Sequence, residues 1–286
     1  MKIVIRRMRR KKLSDWLRFI LVWGSALITV AILLYLAGFI LAKGVPHIKL
    51  SLFSTVYTTE NQSLYPALVT TLIMVGITLL VAVPLGVFAA IFLVEYARSG
   101  SRLVRVIRMT TETLAGIPSI VFGLFGYVFF AAWLGWGKSI LAGCFTLAIM
   151  ILPLIMRATE ESLKSTPDSY REGSFSLGAG KLRTVWRIML PSAAPGIFAG
   201  IILAVGRIVG ETAALMFTIG GVIQVPKNLF SQGRTLAMHV YQLASQGYYV
   251  DEAYATAVIL LIVVLGVNCV SSTIERRFMR KRRGRD

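Results

Sequence analysis

The stretch PGIFAGIILAVGRIVGETAALMFTIGGV, residues 195–222, is apolar or small along nearly its whole length, yet it carries Arg207 and Glu211 close to its midpoint. A helix spans a bilayer with roughly 20 apolar residues, so this run predicts a membrane span. Each charge at the centre of such a span costs on the order of 3 kcal/mol by insertion scales. A span that keeps two of them needs a reason to do so.

Working outward, five more runs of this kind appear, at about 16–41, 64–94, 109–133, 140–156 and 253–274. The composition agrees: 56% of the 286 residues are hydrophobic and the mean hydropathy is +0.72, values that an ordinary soluble domain does not reach. The fold class expected is all-α, polytopic, with six transmembrane helices. The first run follows a basic N-terminus, but it is too long for a signal-peptide core and no small-residue cleavage site follows, so it reads as a retained anchor. Pro84 and Pro118 invite kinks within their spans.

The formal charge of +18 would suggest a nucleic-acid partner if it formed one patch. It does not. Lys43, Lys49, Lys138, Lys227 and Arg234 fall on one side of the six spans, and every other Lys or Arg except Arg207 falls on the other. The positive-inside rule then puts both termini in the cytoplasm, and the basic segments, including the tail 275–286, suit anionic lipid headgroups rather than nucleic acid. Cys144 and Cys269 lie in apolar runs and read as small buried hydrophobes. His47 and His239 have no partners at ligand spacing, so no metal site is expected. GWGKSI, at 135–140, ends like a phosphate-binding loop but has Ala132 where the motif needs glycine. No nucleophile–base constellation appears, so no catalytic residues are expected.

The inner loop RATEESLKSTPDSYREGSFSLGAGKLRTVWRIMLP, residues 157–191, predicts two short helices. Thr166 as N-cap, Pro167 at the first position and Asp168 at the positive dipole end start one over about 167–177. Gly178 and Gly180 are expected to supply a positive-φ turn. Leu182, Val185, Trp186 and Met189 line one face of the second, which Pro191 is expected to stop. From physics alone, this is either a rigid lever or an ordinary interfacial loop.

The loop resembles the EAA motif of ABC importer permeases: Glu172-Gly173-Ser174, then Gly178, then Ile188-Met189-Leu190-Pro191, with both gaps matching. Gly-Ser replaces Ala-Ala, which lowers helix propensity by roughly 1 kcal/mol at Gly173. LAGIPSIVFGLFG (114–126), GRIVGETAALMFTIGG (206–221) and SQGRTLAMHVYQLASQG (231–247) are similar to the PstA-type permeases of phosphate importers. The resemblance implies that the loop's first helix, with Glu172, Gly173, Ser174 and Gly178, docks on an ATP-binding subunit. It also implies a dimer of such subunits holding ATP and Mg, a second similar permease, an extracytoplasmic phosphate-binding protein, no cofactor in this chain, and a bacterial or archaeal cytoplasmic membrane. In domain terms, 1–63 is the N-terminus, first span and outer loop, and 64–280 the permease domain, with the coupling loop 157–191 inside it.

On a straight helix, Gly196, Gly200, Arg207, Gly210 and Glu211 share one small, polar side of span five, and bulky aliphatics share the other. Arg207 and Glu211 are then four apart and able to pair. One reading of such a pair is a helix stitch, but Glu C-terminal to Arg is the poorer order, and buried pairs are often replaceable by apolar residues. The alternative is that Arg207 offers a transient site to phosphate while Glu211 holds the guanidinium in place. In phosphate-importer permeases the matching pair is implicated in transport. Two other readings stay open, a permease for another oxyanion such as sulfate or molybdate, and an ATP-independent carrier or channel.

Overall fold

The computed structural model describes residues 2–98 and 100–283; Met1, Ser99 and the last three residues of the basic tail lie outside the described residues, as do the side chains of 2–14, 274 and 277–283. Every regular element is helical, and the only strand-like pairing among the described residues is an isolated bridge between Gly220 and Gly233. The helices are α1 (Lys2–Gly44), α2 (Tyr65–Ile91), α3 (Arg102–Ala115), α4 (Ser119–Gly126), α5 (Ile140–Lys164), α6 (Asp168–Ser176), α7 (Lys181–Thr184), α8 (Leu190–Gly210), α9 (Ala213–Thr218), α10 (Leu236–Gln246) and α11 (Val250–Arg283).

Five stretches are long and apolar enough to cross a membrane: Asp15–His47, Tyr65–Tyr96, Ile140–Lys164, Lys181–Gly210 and Val250–Thr273. The third expected span is different. Its first part is the charged helix α3, and Arg102–Ala115 meets Ser119–Trp133 at 103°. Gly116-Ile117-Pro118 forms the corner, because the residue before a proline is pushed out of the helical region and Pro118 itself is extended (φ −58°, ψ 140°). Pro84, by contrast, sits within the continuous helix α2.

The centre of the bundle is α5, 67% of whose most apolar window is buried, whereas none of the α1 window is. Among lipid tails, burying an aliphatic side chain gains little from water release, so close van der Waals packing must hold helices together. Small residues make that possible here. A Cβ on Gly123 of α4 would lie 2.7 Å from the Ala214 backbone of α9, and one on Gly86 of α2 would meet Ile155 at 2.7 Å. Around them Met74, Leu147, Ile151, Ile208, Leu215 and Ile219 fill one continuous core. The peripheral α1 rests on α11, where Gly44 lets the Tyr254 backbone approach and Phe39 packs edge-on to Tyr254 at 5.9 Å.

Irregular backbone near the bilayer survives only where protein satisfies it. The segment after α9 does this for the start of α5. The amides of Ser139, Ile140 and Leu141 donate to the carbonyls of Thr218, Ser231 and Leu229 at 2.9, 3.0 and 2.9 Å. Those are three of the amides a helix start leaves without partners. The Leu236 amide donates to Thr71 Oγ1 at 2.9 Å, anchoring α10 to α2. The chain after α9 therefore forms a strap across the start of α5, followed by α10, one face of which is buried. Cys144 is buried as expected, but Cys269 is exposed on α11.

Candidate functional site

Residues 195–222 do not form one straight span. Helix α8 ends at Gly210, Glu211 is extended (φ −74°, ψ 128°), and α9 begins at Ala213. The buried Glu211 carboxylate accepts the Ala214 amide at 3.0 Å, capping the first turn of α9. Arg207 occupies the last turn of α8 and is exposed, and it makes no ion pair or hydrogen bond among the described residues. The helical i,i+4 pairing of Arg207 with Glu211 is thus not realised, nor is Glu211 a clamp on that guanidinium. The break offsets part of the cost of the two charges. A cation in the last turn of α8 meets the negative dipole end, and an anion at the start of α9 meets the positive end, each favourable by about 0.3–1 kcal/mol.

The small-residue side expected on this span divides at the same point. Below the break, Gly196 and Gly200 face Ser162 and Ala158 of α5, so they serve packing within the chain. Beside Arg207, Gly206 and Gly210 have nothing within 4 Å of an added Cβ, which leaves open space around the guanidinium. Thr212 is half-buried at the break and caps nothing with its side chain.

The inner loop is a lever with one continuous arm. Helix α6 runs Asp168–Ser176, its N-cap position is held by Pro167, and Thr166 does not cap it: its hydroxyl donates back to the Ser162 carbonyl at 3.3 Å. Gly178 has φ +77°, as expected, whereas Gly180 has φ −71° and simply starts α7. Pro191 does not stop the second helix. It sits in the first turn of α8, where its missing N–H is harmless, and α7, a π-turn at Val185–Met189 and α8 run on as Lys181–Gly210. The second arm of the loop is therefore continuous with the helix that carries Arg207.

Of the four loop residues, Glu172, Gly173 and Gly178 are exposed and Ser174 is buried. Ser174 Oγ lies 2.8 Å from Thr184 Oγ1, tying α6 to α7. Tyr170, Phe175 and Leu177 stand 50%, 48% and 90% exposed beside Glu172, an apolar surface with no cover in the chain itself.

Sequence reading missed what fixes this lever to span two. Glu95, in the π-turn Phe92–Tyr96 that ends α2, accepts from Arg171 Nη2 at 2.8 Å and Nε at 3.2 Å, and Asp168 accepts from Arg171 Nη1 at 2.6 Å. Burial pulls the Arg171 pKa down, but the bonds and charges of Glu95 and Asp168 outweigh it and hold the group above its ordinary value. Nearby, Glu160 takes Arg108 at 2.7 Å and Lys164 at 2.6 Å, pinning α3 to the inner end of α5.

A second missed cluster joins α10 to the chain before α2. His239, fully buried on α10, lies with Nε2 3.4 Å from the Gln62 carbonyl and Nδ1 3.4 Å from Arg234 Nη1, and Arg234 Nε donates to the Gly221 carbonyl at 2.9 Å. These partners assign the proton to Nε2. Burial, reinforced by the Arg234 charge and opposed by the Gln62 bond, pulls His239 down to about 4, and burial brings Arg234 down to about 10. Because the folded His239 pKa lies below the unfolded value of about 6.5, its contribution is complete above that pH and is lost as pH falls towards 4. Thermal unfolding of the purified protein should show midpoints falling across that window, with a flatter profile for His239→Gln. Among the described residues no group of three or more His, Cys, Asp or Glu side chains is disposed to hold a metal ion.

The chain is thus a helical multi-pass membrane protein with a broken span, a cation at the break that has no ion pair among the described residues, and a loop whose second helix continues into that span. The chain belongs to the family described as the binding-protein-dependent transport system inner membrane component, whose model matches residues 82–284. It is thus an ABC importer permease, a non-catalytic transport subunit. It is 32% identical to a probable ABC transporter permease protein, YqgI, of Bacillus subtilis over 95% of this chain and 98% of that protein. It is 37% identical to the phosphate transport system permease protein PstA 1 of Mycobacterium tuberculosis, over 77% of this chain and 71% of that one. Among solved structures, a bacterial alginate ABC transporter in complex with an alginate-bound periplasmic protein shares the fold, with a TM-score of 0.68 at 16% identity, covering 92% of this chain and 95% of that one.

Proposed function

We propose that this chain is the permease subunit of an ATP-driven inorganic phosphate importer. The observation that carries the reading is Arg207, a guanidinium with no acid partner among the described residues at the break between α8 and α9, with open space at Gly206 and Gly210. A forked, always-charged donor set suits phosphate, which offers one to two negative charges and strong acceptor oxygens. Glu211 acts through the backbone: it fixes the break and so the place of Arg207, and its charge weakens the local field enough to permit release. Phosphate is favoured over sulfate or molybdate by the several relatives named as phosphate permeases, two of them 33% and 37% identical to this chain.

In this account Glu172, Gly173, Ser174 and Gly178 form the docking element for a dimeric ATP-binding subunit, which alone holds ATP and Mg. The exposed Tyr170, Phe175 and Leu177 surround that element. A second, similar permease completes the pathway beside Arg207, and an extracytoplasmic phosphate-binding protein delivers the substrate. Both termini then lie in the cytoplasm of a bacterial or archaeal cell, with the permease in its cytoplasmic membrane. The domain division into 1–63, 64–280 with the coupling loop 157–191, and the tail 275–286 follows from the same assignment.

The assembled complex in proteoliposomes should take up labelled phosphate in the presence of ATP, and unlabelled phosphate should compete while sulfate and molybdate do not. Gly178→Asp puts a side chain on a backbone at φ +77°, a strain of about 1–2 kcal/mol. Co-purification of the ATP-binding subunit should then fall by about tenfold or more. Undiminished co-purification and uptake would remove Gly178 from the docking element.

A further inference from the structure

Helix α3 is amphipathic in a way that neither the pathway nor the coupling lever uses. It meets the Ser119–Trp133 helix at 103°, so if that helix runs across the membrane, α3 lies close to the membrane plane. Its start is well fixed: Ser101 caps it by accepting the Val104 amide at 3.2 Å. One side is taken up by the protein, where Val104 and Ile107 pack with Leu93 and Met156 and where Arg108 binds Glu160 at 2.7 Å.

The remaining sides divide by polarity. At about 100° per residue, Leu103, Val106 and Thr110 form one flank, and Arg105, Arg108 and Glu112 form the opposite one. Met109 and Arg102 lie on the outward edge between them. Leu103, Val106 and Met109 are 60%, 59% and 61% exposed, an apolar surface with no protein over it in this chain. Arg102 and Arg105 are exposed and form no ion pair among the described residues, whereas the acid on this helix, Glu112, is taken by Arg157 at 3.4 Å. Arg98, just before the helix, adds a third exposed cation. A cleft of about 320 Å³ opens on the charged flank between Ser101, Arg105 and Glu112.

We infer that α3 is an in-plane helix that binds anionic phospholipid headgroups of the leaflet on the side of the coupling loop, with Leu103, Val106 and Met109 in the acyl boundary and Arg102 and Arg105 on the phosphates. The pattern is that of an interfacial helix: a basic edge, an apolar flank and long side chains that reach the headgroups. The lipid is chosen by charge, because two unpaired guanidiniums beside an apolar surface match a phosphodiester on an acyl chain and repel a basic protein surface. The consequence is mechanical. Through Arg108–Glu160 the lipid-held helix steadies the inner end of α5, and through the Pro118 corner it sets the tilt of α4, against which α9 packs at Gly123.

The test uses the assembled transporter, with Cys144 and Cys269 replaced, in nanodiscs of phosphatidylcholine with or without phosphatidylglycerol. Nitroxides placed singly at Leu103, Val106 and Arg105 report collision with oxygen and with a water-soluble nickel chelate. In discs containing phosphatidylglycerol, positions 103 and 106 should favour oxygen and position 105 the chelate. Arg102→Gln with Arg105→Gln weakens the attraction roughly thirtyfold. Positions 103 and 106 should then move towards the chelate in those discs and match the wild type in pure phosphatidylcholine. Chelate access at 103 and 106 in every disc would overturn the inference. So would shielding from both reagents, which means a protein chain covers the face, or a double variant that behaves as the wild type in both discs.

Discussion

Phosphate uptake by the Arg207→Gln variant is expected to fall at least about a hundredfold, with assembly and ATP-subunit docking unchanged. Glutamine is shorter and keeps an amide donor, but it loses the charge, the reach and the fork. Two charge-assisted hydrogen bonds worth about 1.5 kcal/mol each are then missing whenever the anion passes, and about 3 kcal/mol corresponds to a hundredfold or more. The substitution should not unfold the protein, because Arg207 is exposed on α8 and bonds no other group among the described residues. ATP hydrolysis and co-purification are the controls. A variant that assembles and still transports at the wild-type rate removes Arg207 from the pathway.

Breaking the link between span two and the coupling helix should have an effect of similar size on a different readout. Glu95→Gln leaves Arg171, only 18% exposed at its side chain, beside a neutral amide in place of a carboxylate. Removing one partner of a buried ion pair costs about 3–5 kcal/mol when nothing compensates. Here Asp168, on the solvent side at 2.6 Å, retains part of the attraction, so the lower end of that range applies. Gating of span two would then no longer follow α6. The expected result is ATP hydrolysis that continues while phosphate imported per ATP drops about tenfold or more, together with faster amide exchange in Asp168–Ser176. An unchanged ratio with unchanged exchange means that the pair is only a surface ornament of the loop.

The spans were legible in the sequence because apolar runs of this length have few other uses, and four of the six appear close to where hydropathy puts them, while the run at 195–222 belongs to a helix that starts earlier and ends at Gly210. The break after Gly210 was not, since Glu211-Thr212 interrupts the polarity pattern without a proline, and an unwound turn near a bilayer depends on which neighbours satisfy its backbone. In retrospect the order of charges is the signal: an arginine in the turn before a glycine and a glutamate three residues before Ala214 are a helix end and a helix start. The corner at Pro118 was half legible, as the proline was visible while the basic residues from Arg102 to Arg108 were counted towards orientation rather than towards a helix lying flat. Thr166-Pro167-Asp168 and Gly178 marked α6 within a residue or two, but Gly180 copied the look of a turn glycine without its conformation.

The residues that fix the site were the least legible of all. Glu95 and Arg171 are 76 positions apart, and Gln62 and His239 are 177 apart. Nothing local in either member announces the other. Ser174 is a partial exception: a hydroxyl at the small position of the motif needs a partner when buried, and Thr184 supplies it at 2.8 Å. The departure from Ala-Ala in the loop is therefore accommodated by a hydrogen bond rather than by size alone.

The most direct measurement is a high-resolution structure of the complete transporter, with the second permease in place, halted while phosphate is crossing. The account predicts an oxyanion within about 3 Å of the Arg207 guanidinium, between the two permeases and beside Gly206 and Gly210. A map that turns Arg207 towards lipid, or that seals it permanently against an acidic side chain of either permease with phosphate elsewhere, contradicts it.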